Sequence, residues 1–163
     1  MKAIIVGIDK VNDFVGRASA WCLFFIICII AIEVFARYIL KSPTIWAWDT
    51  NMQLFALVTF LGGGYTYLNG KHVSIDIFYS KWSEKKKALA DIITFPVFLM
   101  FALPLVYTLG SLAQESLASR ETISSAWAPP IYPIKIIAVI GAFLLTLQGI
   151  SIFLKNICIL IRR

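Results

Sequence analysis

The sequence predicts an all-α integral membrane protein with four transmembrane helices, N- and C-termini cytoplasmic, and amphipathic surface helices before span 1 and between spans 2 and 3. Three observations carry this. The 163 residues are 60% hydrophobic and only 15% charged, with a mean hydropathy of +0.82, too few charges for a surface that faces water all round. Four apolar runs, 18–40, 46–68, 88–112 and 131–158, each reach the ~20 residues that cross a ~30 Å hydrocarbon core. The basic residues also segregate. Lys2, Lys10, Arg17, Lys71, Lys81, Lys85, Lys86, Lys87, Lys155, Arg162 and Arg163 fall on one side of such a bundle, and Arg37, Lys41, Arg120 and Lys135 on the other. By the positive-inside rule the first set is cytoplasmic, so the net charge of +6 reads as topology and not as a nucleic-acid surface.

Before span 1, Ile4, Ile8, Val11 and Val15 recur at steps of four, three and four, which predicts an amphipathic helix over 1–17 lying on the inner membrane surface. Asp13 and Arg17 are placed for an i, i+4 pair. The small triplet Ala18-Ser19-Ala20 precedes the first apolar run instead of following it, so span 1 is expected to be retained and not cleaved as a signal peptide. Cys22, Cys28 and Cys158 all lie in apolar runs and read as free thiols.

Span 1 carries Glu33 roughly 24 Å along its axis at ~1.5 Å per residue, which puts Glu33 and Arg37 near the outer boundary. Their spacing of four lets them pair. Lys41-Ser42-Pro43-Thr44 then forces a tight turn, because proline cannot continue a helix, and makes spans 1 and 2 antiparallel neighbours. Trp46 and Trp48 mark the outer interface. Asp49 enters at the depth of Glu33 and Arg37, so the three are expected to cluster.

Along span 2, Asp49, Gln53, Ala56, Thr59, Gly63, Thr66 and Gly70 recur at a mean step of 3.5 residues. All are small or polar, the kind of stripe through which helices pack and hydrogen-bond in lipid. Lys71-His72-Val73-Ser74-Ile75-Asp76 and the run Glu84-Lys85-Lys86-Lys87 bracket a cytoplasmic surface helix over 74–87, with a basic edge towards the membrane lipids. Span 3 contains Pro96 and Pro104 and is expected to bend unless its neighbours re-satisfy the freed carbonyls. Ser124 to Pro133 forms a proline-stiffened, aromatic outer loop, and Ala138, Ala142, Thr146 and Gly149 give span 4 its own packing stripe.

The constellations of membrane enzymes are missing. The single histidine excludes a bis-histidine haem supplied by this chain alone, and there is no C-x-x-C, G-x-x-x-x-G-K-[ST] or H-E-x-x-H. No cofactor, metal or catalytic residue is expected. Two other classes stay open on the residues alone. One is a stand-alone small oligomeric exporter, for which Glu33 is the candidate proton-coupling acid. The other is a membrane anchor subunit of a redox complex.

The order of features from Glu33 to Asp76 carries a resemblance. Arg37 in the outer part of span 1 is followed by Ser42-Pro43, by W-x-x-acid at Trp46 and Asp49, by Gly62 to Gly64 within span 2, and by G-x-H-x-x-x-D at Gly70, His72 and Asp76. With Pro129, Pro130, Tyr132 and Pro133 in the outer loop, the chain resembles the small membrane subunit of TRAP transporters, the DctQ type, over nearly its whole length. That family usually has glutamate where this chain has Asp49, one methylene shorter. The resemblance implies a non-catalytic subunit of a sodium-coupled secondary transporter in the bacterial inner membrane, taking up organic acids such as dicarboxylates, keto acids or sialic acid. Its implied partners are a large TRAP membrane subunit, which carries the substrate and sodium sites, and a periplasmic solute-binding receptor. On this reading Glu33, Arg37, Asp49, Gln53, Ala56, Thr59, Gly63, Thr66, His72 and Asp76 serve the subunit interface or the fold. Lys41, Trp46, Arg120, Glu121 and Trp127, on the outer loops, are candidates for receptor docking.

Overall fold

The computed structural model describes residues 2–70 and 82–161. They form four helices in chain order, α1 (Lys2–Tyr38), α2 (Ala47–Leu68), α3 (Glu84–Ser119) and α4 (Tyr132–Ile161). α1 packs along α2, α2 along α4, and α4 along α3, with a lesser contact between α1 and α4. The spatial order is therefore α1, α2, α4, α3, with α1 and α3 at the two edges. α4 is the most enclosed, with 44% of its apolar stretch buried against 6% in α1 and in α3.

α1, α3 and α4 are long and apolar enough to cross a membrane. α2 is shorter, and Asp49, Asn51, Gln53 and three consecutive glycines lower its hydropathy.

The bundle is inside-out relative to a water-soluble one. Apart from Ile5 and Leu144, its buried positions are small or polar, among them Ala36, Ala47, Ala102, Ala138, Ala142, Ser116, Gln148 and Ser151, while Phe14, Trp21, Tyr38, Trp48, Met100 and Tyr107 are exposed. Lipid tails are as apolar as leucine, so exclusion of large side chains drives nothing, and close backbone approach decides the packing instead. The approach is visible at four glycines. A Cβ on Gly16 would lie 2.2 Å from Tyr65, on Gly64 1.9 Å from Asn12, on Gly141 2.4 Å from the Phe60 carbonyl, and on Gly149 2.2 Å from the Phe98 ring. Beside Gly149, Phe95 stacks on Phe153 with ring centroids 4.1 Å apart, holding α3 to α4.

Two expectations change. The amphipathic segment 1–17 and span 1 are not two helices, because α1 is unbroken from Lys2 to Tyr38. No proline interrupts that stretch, and its only two glycines, Gly7 and Gly16, stay within the helix. Nor is the polar side of 1–17 turned wholly to solvent: Asn12 is completely buried. Of the surface helix expected over 74–87, residues 74–81 lie outside the described residues, while Glu84 to Lys87 form the first turn of α3. α3 remains helical through Pro96 and Pro104.

Candidate functional site: the loop-end rim and the polar clasp

At the closed end of the α1–α2 hairpin, Glu33 and Arg37 are paired, with Arg37 Nη2 2.6 Å from Glu33 Oε1. The second carboxylate oxygen of Glu33 accepts from the backbone N–H of Thr44 at 3.1 Å and from its hydroxyl. Glu33 thus ties the turn to α1. That turn closes where Ser42 N donates to Ala36 O at 3.0 Å and Lys41 takes a left-handed φ of 53°.

Asp49 does not join this pair. It is buried and accepts a hydrogen bond from Ser125 Oγ in the loop between α3 and α4. The expected three-charge cluster is therefore a pair plus a separate anchor. Glu33 and Arg37 lie on α1, and Asp49, one step past Trp48 on α2, is held by Ser125 of the loop between α3 and α4.

The α3–α4 loop is tightly built. Arg120 caps α3 in the left-handed region, with Arg120 N donating to Leu117 O and Glu121 N to Ser116 O, a Schellman arrangement. Ile131 N returns to Glu121 O at 3.0 Å and Ile123 N to Pro129 O at 2.9 Å, and Thr122 and Pro130 form a single antiparallel bridge. Ser125 Oγ also accepts from Ala128 N at 3.1 Å, and Gln53 Nε2 donates to Pro130 O at 3.1 Å. Lys135 Nζ lies 2.5 Å from Glu121 Oε2, and that ammonium holds the Glu121 carboxyl below the usual carboxylate range. The outcome is a closed loop with Trp127 44% exposed at its tip and Arg120 exposed beside it. Trp46, by contrast, is half-buried at the start of α2.

The stripe of α2 divides. Asp49 and Gln53 bond the outer loop, as above. Lower down, Thr59 is exposed and Gly63 has only Leu145 near it, 4.0 Å from where a Cβ would sit. A 3.5-residue repeat drifts ~20° per heptad on a straight helix, so over three heptads the stripe turns by about 60° off its packed side. The hydroxyls of Thr59 and Thr66 do not bridge helices either. They donate back to Phe55 O and Gly63 O of their own helix. Ala56 is half-buried between these two zones. His72 and Asp76 lie outside the described residues.

At the opposite end of the bundle the structure shows a network that the sequence reading missed. Asn12 Nδ2 donates to Gln148 Oε1 at 2.9 Å, Gln148 Nε2 to Asp9 Oδ1 at 3.0 Å, and Ser151 Oγ to the same oxygen at 3.0 Å. Lys155 Nζ closes on Asp9 Oδ2 at 2.6 Å. On the far side of α4, Asn156 Nδ2 donates to Asp91 Oδ2 of α3 at 2.9 Å. The available signal was the spacing of Gln148, Ser151 and Lys155 at three and four, a polar line on the most apolar helix. Its partner face on α1, Asp9 and Asn12, has the same spacing of three.

These features hold helices together and shape an outer rim; they do not assemble a nucleophile, a base and a substrate cavity. In the comparison with known proteins, no curated protein matches the chain. A family model does, over residues 26–158, described as the DctQ component of tripartite ATP-independent periplasmic transporters. That match takes in the Glu33–Arg37 pair, the Asp49 anchor and the outer loop, and the protein is an inner-membrane one accordingly. The chain belongs to the DctQ family, the small membrane component of TRAP transporters, which works with a large membrane subunit and a periplasmic receptor.

Proposed function

We propose that the chain is the non-catalytic small subunit of a sodium-coupled TRAP-type secondary transporter for organic acids of the dicarboxylate, keto acid or sialic acid class. It scaffolds the large transport subunit and offers its outer rim to the periplasmic receptor. On this reading all four helices span the membrane and both termini are cytoplasmic. α2, at ~1.5 Å per residue, is about 33 Å long and reaches across the hydrocarbon core.

The observation that carries the reading is where the charges stop. No Asp, Glu, Lys or Arg occurs between Arg17 and Glu33, between Asp49 and Gly70, between Asp91 and Glu115, or between Lys135 and Lys155. A transporter working alone places ionisable groups or unwound backbone near the midplane, and this chain leaves that depth to a partner. Glu33, the candidate coupling acid of a stand-alone exporter, has both oxygens engaged by Arg37 and Thr44, as suits a structural residue. The outer loop supports receptor docking because it is pre-organised and displays Trp127, Arg120 and Glu121 above the bundle, with Lys41 on the neighbouring turn.

Reconstitution into liposomes tests the reading. With the large subunit, the receptor and an inward sodium gradient, organic-acid uptake is expected, and with this chain alone none. Uptake by this chain alone overturns it.

A further inference from the structure

α3 stands at one edge of the bundle and packs on α4, through the Asp91–Asn156 bond, the Phe95–Phe153 stack and the contact of Phe98 with Gly149. Its other side is built differently. Lys86, Leu89, Ile93, Val97 and Met100 follow one another at steps of three or four, so they share one face. All five are exposed.

At the start of that face lies a groove of about 380 Å³ lined by Trp82, Lys86, Leu89, Ala90 and Ile93. It is cationic at Lys86 and aliphatic from Leu89 onwards, with an indole at its charged end. The neighbouring charges do not cancel. Glu84 pairs with Lys87 at 3.4 Å, whereas Lys85 and Lys86 are exposed and have no ion pair among the described residues. Below the groove, Leu89, Ile93, Val97 and Met100 offer a partner helix neither the small residues nor the polar groups through which helices associate in lipid. From Leu89 to Met100 is about 17 Å at ~1.5 Å per residue, close to half of a ~30 Å hydrocarbon core and so the depth of one leaflet.

We propose that this groove and the face below it bind an anionic phospholipid. The phosphate is held by Lys85 and Lys86 at the level of the Trp82 indole, a ring that prefers the headgroup region, and the acyl chains lie along Leu89, Ile93, Val97 and Met100. Two ammonium groups close to a membrane surface favour an anionic over a zwitterionic headgroup by about tenfold. Placing this lipid in the inner leaflet rests on the proposed topology with both termini cytoplasmic. The binding itself rests on the groove, the two lysines and the aliphatic face.

The full chain and its Lys85→Gln/Lys86→Gln variant are reconstituted in phosphatidylcholine nanodiscs. Each carries a trace of phosphatidylglycerol with a diazirine on its acyl chain, or of phosphatidylcholine with the same tail, and the photoadducts are mapped by mass spectrometry. Labelling over 89–100 at least fivefold stronger from phosphatidylglycerol is expected, with no such preference over 23–30, an apolar and largely exposed stretch of α1 without lysines. The double variant is expected to lose the preference while its thermal midpoint holds. Equal labelling by the two lipids, the same preference over 23–30, or a preference that survives the double substitution overturns the proposal. So does loss of the 89–100 adducts when the large membrane subunit is added, which assigns the face to a protein helix. Reaction of Lys86 with a membrane-impermeant amine reagent outside sealed right-side-out vesicles overturns the cytoplasmic topology instead, and moves the site to the outer leaflet without removing it.

Discussion

Ser125 Oγ, in the loop between α3 and α4, donates a hydrogen bond to the buried carboxylate of Asp49 at the start of α2. The two residues are 76 positions apart, so this bond joins the two hairpins of the chain at their outer end. Asp49→Asn keeps the volume but weakens a charge-assisted bond, and Asp49→Ala leaves Ser125 without its acceptor. The expected loss is about 1.5–3 kcal/mol for the alanine variant and less for asparagine, with faster proteolysis inside 122–130. Asp49→Glu restores the residue usual in the family but adds a methylene to a filled site, for an expected cost of about 1–3 kcal/mol. Thermal unfolding in detergent ranks the three.

Glycine positions separate what the subunit needs for itself from what it offers to others. Gly141→Ala would bring a methyl to 2.4 Å from the Phe60 carbonyl oxygen, and backbone cannot step aside as a side-chain tip can. Destabilisation of several kcal/mol or failure to accumulate in the membrane is expected. Gly62→Ala meets open space and is expected to leave the isolated subunit unchanged or more stable by up to about 1 kcal/mol. Thermal midpoints of both variants, measured without partner, check the contrast.

The inner clasp should respond to loss of its buried amide. Asn12→Ala removes the donor to Gln148 Oε1, and Gln148 is itself fully buried. A cost of about 1–3 kcal/mol follows from the orphaned acceptor, while Arg17→Ala, which breaks only an exposed pair with Asp13, should change stability by less than about 1 kcal/mol. Chemical denaturation of the two variants in the same detergent distinguishes them.

The outer loop should loosen in acid. Glu121 has its carboxyl lowered from an ordinary value of 4.5 by the hydrogen bond from Lys135. A carboxyl with a depressed folded value contributes stability that is fully present above its unfolded value and lost as pH falls through the folded one. Amide exchange at 121–131 should therefore accelerate below about pH 4.5, and Glu121→Gln should show the faster exchange already at neutral pH. An unaltered profile in that variant would remove the Lys135 contact as the cause.

Receptor docking makes a kinetic prediction. Charge reversal at Lys41 and Arg120, together with Trp127→Ala, is expected to raise the receptor concentration needed for half-maximal uptake severalfold. Substrate binding to the free receptor should stay as it was. Because rim charges act mainly on encounter rates, the effect should shrink at high salt.

The sequence was legible where single-residue chemistry dictates structure. The Glu33–Arg37 pair follows from a spacing of four, and the packing of α4 through Ala138, Ala142, Thr146 and Gly149 from residue size. What it hid was relative orientation. Asp49 reads as level with Arg37, yet which way it faces depends on where α4 sits, and no local signal in α2 records that. Asp9, Asn12 and Gln148 look like ordinary polar residues until α1 and α4, at opposite ends of the chain, are set side by side. The stripe of α2 was correctly seen as small and polar, but its slow rotation around the helix splits it between an internal contact and an open face.

The spatial order α1, α2, α4, α3 has a bearing on how the chain is made. Each edge helix finds its main neighbour next to it in sequence, α1 with α2 and α3 with α4, so the ribosome delivers two self-contained hairpins in turn. Their zipping, chiefly α2 against α4 with a lesser contact of α1 against α4, joins distant parts of the chain. The Asp49–Ser125 bond at one end and the Asn12–Gln148 bond at the other form only once that zipping is complete. Until the hairpins meet, the Asp49 carboxylate lacks Ser125 and the Asn12 amide lacks Gln148, so unmet polar groups give the zipping of the hairpins a driving force of its own.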